Sequence, residues 1–226
     1  NWRVNIPTDR MWNELSAINL NVQFIHAQMA GSTFALQSGL AAAEARVVQV
    51  RLNGRNFTRS GLPQNGTSTG AGFGSYVMLE PLNNEWAHHH FPTDGGGNVY
   101  RASIYPWYAN LDYEGTNVWN YTNATSGGYF KTSNASENDW SDLIALTHAL
   151  STNTPDERYV QTVGQVANIE MFLRYFAVVS ALDYSENGLP VGVGDDYAMY
   201  RGMVDPRFRL VPHDFDTVLG QGDSAM

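Results

Sequence analysis

The stretch "RLVPHDFDTVLG", residues 209–220, decides how the rest of the chain is read. Leu210-Val211-Pro212 is an apolar, strand-like lead-in; His213, Asp214 and Asp216 follow, and Gly220 closes the segment. Strand side chains alternate faces, so the spacing predicts that the carboxylates of Asp214 and Asp216 point the same way. Two like charges that close raise each other's pKa and oppose folding unless something positive sits between them. A divalent cation is the usual answer, and the segment therefore points to a metal site.

Working outward, "DDYAMYR", residues 195–201, alternates as a strand and pairs naturally with "FRLVPHDFD", residues 208–216. In an antiparallel pair the start of one strand lies beside the end of the next, which gathers Asp195, Asp196, Asp214 and Asp216 at one edge. Asp183 follows directly on an apolar helix expected from about 168 to 182, apolar nearly all round and so expected to be central. Oxygen ligands in a chain without cysteine suit a hard cation such as Mg²⁺ rather than zinc. A further carboxylate outside the first shell would orient or deprotonate a hydroxyl nucleophile. A plainer reading stands beside this one: acids at strand ends are often turn formers, and "ENG", "GDD" and "DP" are turn-like by composition.

Toward the N-terminus, "NWRVNIP" (1–7) and "NLNVQFI" (19–25) read as strands, and "STFALQSGLAAAEA" (32–45) as a helix with Ser32 as its N-cap. "RVVQVRLNGRNF" (46–57) alternates around a hairpin turn at Asn53-Gly54. A polar, Gly-rich insertion at 58–72 delays the return strand, which resumes in "FGSYVMLEPLN" (73–83). Beyond residue 85, "EWAHHHF" predicts a short helix and "GGGNVYRASIY" a turn followed by a strand. Residues 105–135 read as an aromatic, polar loop region, and "SENDWSDLIALTHALS" (136–151) as a helix capped by Ser136 or Asn138. His88-His89-His90 are consecutive and cannot all face one ion on a regular element, so they read as a loop or helix-edge cluster and not as a metal site. "GAGFG" (70–74) has no helix after it and no GK[ST], which makes it a hairpin return and not a phosphate loop.

Bulk composition narrows the function classes. Of 226 residues, 43% are hydrophobic and 15% charged, as in ordinary folded domains, and the longest apolar runs fall short of the ~20 residues that span a bilayer. A net charge of −9 disfavours a nucleic-acid backbone as partner, since counterion release needs a basic face. Lys131 is the single lysine, so a phosphate-bearing ligand would need metal ions and a few placed arginines. The start at Asn1 and the abrupt ending in "GQGDSAM" suggest a piece truncated at both ends, and sequons at Asn56, Asn65, Asn120, Asn123 and Asn134 hint at secretion.

Taken together, these pieces resemble the spore-coat CotH kinase family of atypical, secreted, protein-kinase-like proteins. "VVQVRLNGRN…GFGSYVMLEPLNNEW" is similar to its strand, Asn-Gly turn, G-x-Y strand and following Glu; "GGGNVYRA" and "FKTSNASENDWSDLIAL" resemble two further segments. "LRYFAVVSALDYSENG…DDYAMYR…FRLVPHDFDTVLG" resembles its closing signature. The resemblance implies one α+β, two-lobed kinase-like domain over 1–226. Its parts would be a small β-rich N-lobe at about 1–80 and a larger helical C-lobe at about 81–226 carrying the acidic β-hairpin. It implies ATP and Mg²⁺ or Mn²⁺ as cofactors, and transfer of the γ-phosphate to Ser or Thr of secreted or surface proteins, with no nucleic acid and no membrane span.

Carried over by position, Asp183 would be the catalytic carboxylate facing the acceptor hydroxyl. Asp214 would hold metal against the nucleotide phosphates, with Asp216 as a further ligand. Asp196 stands where the family commonly has Asn and would add charge beside the metal. Glu80 would lie near adenine, more through its backbone than its carboxylate, and Arg3 would touch phosphate. Further departures accompany the match: His213 replaces a Trp, Ala181 replaces an Asn, and no lysine precedes residue 131. The rival reading is a non-catalytic surface, adhesive or structural binding module on the same fold; a weaker one is nucleotidyl or amino-acid transfer.

Overall fold

The computed structural model of the protein describes residues 2–13, 15–58, 74–102, 109–125, 127–184 and 186–220. Apart from Thr58, the Gly-rich insertion expected at 58–72 lies outside the described residues, as does most of "GAGFG". The protein is a mixed α/β structure with small antiparallel sheets. It divides into two compact units, Asn1–Pro81 with Ser180–Ser185 and Asp214–Met226, and Leu82–Val179 with Glu186–His213.

In the first unit, β1 (Trp2–Asn5), β2 (Ala17–Asn21), β3 (Ala45–Gln49) and β6 (Ser75–Leu79) form an antiparallel sheet in the order β1-β2-β6-β3. Between β3 and β6 a tight hairpin joins β4 (Arg51–Leu52) to β5 (Arg55–Asn56). Its turn residues Asn53 and Gly54 have φ of 51° and 78°, the paired left-handed geometry for which Asn-Gly is favoured. The expected hairpin is present where its turn chemistry put it.

Helix α1 (Ile25–Gln37) differs from the expected one. It starts seven residues earlier than Ser32 and ends before the alanine run. Gly39 decides the end: with φ 79° it donates its N–H to Leu36 O, while the Leu40 N–H reaches Ala35 O. That pair of bonds is the Schellman stop, which a residue without Cβ makes inexpensive. Ser32 is not a cap. It lies mid-helix, buried, and donates its hydroxyl to Ala43 O at 2.5 Å, pinning the extended alanine segment to the helix. Ile25, Gln28, Ser32 and Ala35 recur at helical spacing on the buried face, and α1 packs against β3 and β6.

In the second unit, β7 (Asn98–Ala102), β8 (Tyr129–Lys131), β9 (Tyr197–Arg201) and β10 (Arg209–Pro212) form an antiparallel sheet in the order β10-β9-β7-β8. The β9–β10 pair expected from the sequence is present, in register Pro212↔Tyr197 to Arg209↔Tyr200. Its connection is held by Asp94, whose carboxylate accepts the N–H groups of Met203, Val204 and Asp205. Burial works against that charge, but these three bonds and Arg209 outweigh it and hold the carboxyl below the usual range.

Helix α2 (Asn84–His90) is capped by Asn83, whose Oδ1 accepts from the Glu85 and Trp86 N–H groups. His88, His89 and His90 form its last turn. Helix α3 (Ser141–Leu150) begins later than expected: Ser136 lies in a preceding 3₁₀ turn and Asn138 is left-handed, so neither caps it. Asp139 accepts the Ser141 N–H instead. Helix α4 (Asp156–Val166) was not anticipated. Helix α5 (Ile169–Ala181) starts where expected, because Asn168 accepts the Met171 N–H, but it is not apolar-buried all round. Phe172, Tyr175, Val178 and Val179 are buried while Leu173 is 65% exposed, so the helix is one-sided.

Candidate functional site

Two candidates of the first unit, Asp214 and Asp216, lie in the segment after β10, and Asp183 lies on a loop tied to it. That strand ends at Pro212, so the alternation that was to align Asp214 with Asp216 does not operate. Asp214 instead takes φ 58°, a left-handed conformation that short polar side chains tolerate, and Phe215–Gly220 coils into 3₁₀ turns carrying Asp216. The abrupt change of direction brings Asp214 against α1. Gln28, fully buried, donates its Nε2 to Asp214 Oδ1 and accepts the Phe215 N–H at Oε1, 3.1 Å away.

A second set of bonds joins the Asp214 segment to the turn after α5. The Tyr184 hydroxyl donates to Asp214 O, and the Leu219 N–H donates to Leu182 O at 2.8 Å. The Tyr184 and Phe215 rings pack with centroids 5.6 Å apart. Asp183 lies between Leu182 and Tyr184, exposed, with φ 46° and its N–H bonded to Ser180 O. Two aspartates thirty-one positions apart in sequence thus sit on loops that are tied together, and both occupy left-handed backbone. Asp and Asn adopt that region more readily than other non-glycine residues.

The remaining candidates are placed as follows. Glu80 directly follows β6, is 8% exposed, and exchanges bonds with Glu44: its N–H donates to Glu44 O and its Oε2 accepts the Glu44 N–H. Arg3 is exposed on the edge strand β1, with Nε on Asn5 Oδ1. In the second unit Asp196 also has positive φ, 47°, and its carbonyl accepts the His213 N–H, extending the β9–β10 ladder by a rung. His213 is kept neutral: removal from water and the Arg101 charge hold its pKa well below the usual imidazole value.

Lys131, the single lysine, is buried and donates to Asp139 O at 2.5 Å, with its ammonium 5.8 Å from the Tyr100 ring centroid. It serves the second unit's own packing. Asn187, 4% exposed, gives Nδ2 to the Tyr175 hydroxyl, while its Oδ1 finds no hydrogen-bond partner among the described residues. A buried amide oxygen of this kind is a hard-cation ligand by chemistry.

Gln28 and Tyr184 escaped the sequence reading. Gln28 is one polar side chain on a helix face otherwise made of small and apolar residues, and its partner lies 186 positions away. Tyr184 directly follows Asp183, but adjacency alone does not say that its hydroxyl reaches Asp214.

The CotH kinase protein family model matches residues 9–226, nearly the whole length. The chain therefore belongs to the CotH kinase family, and is a kinase-like protein. No curated protein matches it. Among the described residues no helix is long and apolar enough to cross a membrane.

Proposed function

We propose that the protein is a metal-dependent atypical kinase that transfers the γ-phosphate of ATP to Ser or Thr hydroxyls of secreted or surface proteins. The observation that carries this reading is the joining of the Asp183 and Asp214 loops by Tyr184 and Leu219 within one compact unit. Phosphoryl transfer asks little covalent chemistry of a protein; it asks for positioned charge. An exposed carboxylate and a half-buried one, on loops fixed relative to each other, supply two positions with different tasks.

Asp214 fits a hard cation by its chemistry: it is a carboxylate in a chain without thiolates, and Asp216 would be a further ligand. Mg²⁺ or Mn²⁺ held there would offset charge on the nucleotide phosphates. Asp183, exposed at the turn, would accept a hydrogen bond from an incoming hydroxyl and take its proton. Glu80, directly after β6, would lie beside the nucleotide base, and the exposed Arg3 guanidinium would be the phosphate contact from β1.

Incubation with labelled ATP, Mn²⁺ and a generic acidic acceptor protein tests the reading. Label passes to the acceptor with the wild type and not with Asp183→Ala or Asp214→Ala; equal labelling by all three rejects the mechanism. A non-catalytic binding module would show no thermal stabilisation by ATP with Mg²⁺ or Mn²⁺. An acceptor mass gain of about 80 Da identifies phosphoryl transfer against nucleotidyl or amino-acid transfer.

A further inference from the structure

We infer that Gln28 is a positioning residue for Asp214, fixing the orientation of that carboxylate from helix α1 and making the cation site depend on the seating of that helix. The inference deepens the kinase reading and rests on it. Gln28 is 0% exposed, so its amide must find partners within the protein, and it finds two in consecutive residues: the Asp214 carboxylate and the Phe215 N–H. These partners leave no ambiguity about which way the amide faces. A backbone N–H can only donate, so Oε1 must face Phe215; an ionised carboxylate can only accept, so Nε2 must face Asp214.

The choice of side chain is informative. A lysine or arginine here would neutralise Asp214 and compete with a cation, and a glutamate would repel it. Glutamine adds no charge. A carboxylate has about four lone-pair positions, and one amide donor takes up one of them. One turn further along α1, Gly31 lets the same helix approach Phe215: a Cβ there would lie 2.6 Å from the Phe215 Cβ and ring. Gln28 and Gly31 thus form one seat for the Asp214-Phe215 pair.

The test uses Mn²⁺ and ATP binding to the full chain, followed by calorimetry and by the electron paramagnetic resonance of free Mn²⁺. Gln28→Met is the decisive variant: it keeps the length of the side chain, removes both bonds and adds no charge. Gln28→Leu removes the same bonds with a shorter side chain.

The expected result is Mn²⁺·ATP binding about tenfold weaker in Gln28→Met and in Gln28→Leu than in the wild type. If one of the two variants fails to fold, the other decides. A wild type that binds, with a folded variant matching it, overturns the role of Gln28 and leaves the kinase reading standing. A wild type that binds no Mn²⁺·ATP overturns both.

Discussion

Tyr184 donates its hydroxyl proton to the backbone carbonyl of Asp214, so the residue after one candidate aspartate fixes the backbone of the other. Tyr184→Phe removes this bond and keeps the ring against Phe215, 5.6 Å away between centroids. A net intramolecular hydrogen bond is worth about 1 kcal/mol, which is the expected loss in urea-unfolding free energy with the slope unchanged. Phosphate transfer is expected to fall further than stability does, because the Asp183 and Asp214 loops lose a shared tie. An unaltered urea midpoint and rate would show that the hydroxyl contributes nothing.

The two aspartates are expected to fail differently. Asp214→Ala abolishes the thermal shift given by ATP with Mn²⁺, whereas Asp183→Ala keeps the shift and loses transfer by about 10²–10⁴-fold, the range for removing charge stabilisation or acid–base help. Loss of nucleotide binding in both variants would dissolve the division of labour between them.

Gly31→Ala opposes two effects on α1. Alanine favours a helix over glycine by about 1 kcal/mol. Against that, its Cβ would sit 2.6 Å from the Cβ and ring of Phe215, and overpacking of a fitted contact costs about 1–3 kcal/mol. Overpacking wins because the clash involves Phe215 at its Cβ, close to the backbone, where it cannot swing away. The variant is expected to be destabilised in urea unfolding; a stabilised one would mean that α1 and Phe215 separate freely.

His213 makes stability depend on pH. Its native pKa is well below the ordinary value, through loss of hydration and then the Arg101 charge. Below the ordinary imidazole pKa of about 6.5 the unfolded chain binds a proton that the native protein refuses, so stability is full above that pH and declines as pH falls toward the native pKa. The limiting slope is about 1.4 kcal/mol per pH unit. His213→Phe removes this contribution, so relative to the wild type it gains up to about 2 kcal/mol between pH 7.5 and pH 5. Parallel stability profiles for the two proteins would mean that His213 titrates normally.

Where the chain's own short-range chemistry sets the backbone, the sequence was readable. Asn53-Gly54 marks its hairpin because the turn needs two left-handed residues, and α2 stands where "EWAHHHF" predicted a short helix. Alternation in 197–201 and 209–212 announced β9 and β10, and their antiparallel register follows. Reading failed where distant contacts override local preference. Ser32 has the composition of a cap but spends its hydroxyl on Ala43 O, and α1 starts at Phe24-Ile25 with no side-chain cap to advertise it. The apolar run of α5 looked uniformly buried, yet burial depends on what packs around a helix, and Leu173 faces water.

The sequence by itself determined the family, through motifs in order along the chain, and it determined which aspartates matter as candidates. Only the tertiary structure decided that Asp214 leaves its strand in a left-handed turn, that Tyr184 ties it to the Asp183 loop, and that Gln28 grips it from α1. The reason is physical range. Turn and strand preferences act between neighbours and leave a periodic trace. A hydrogen bond between side chains 186 positions apart leaves none, because either partner alone is an ordinary polar residue until folding brings them together.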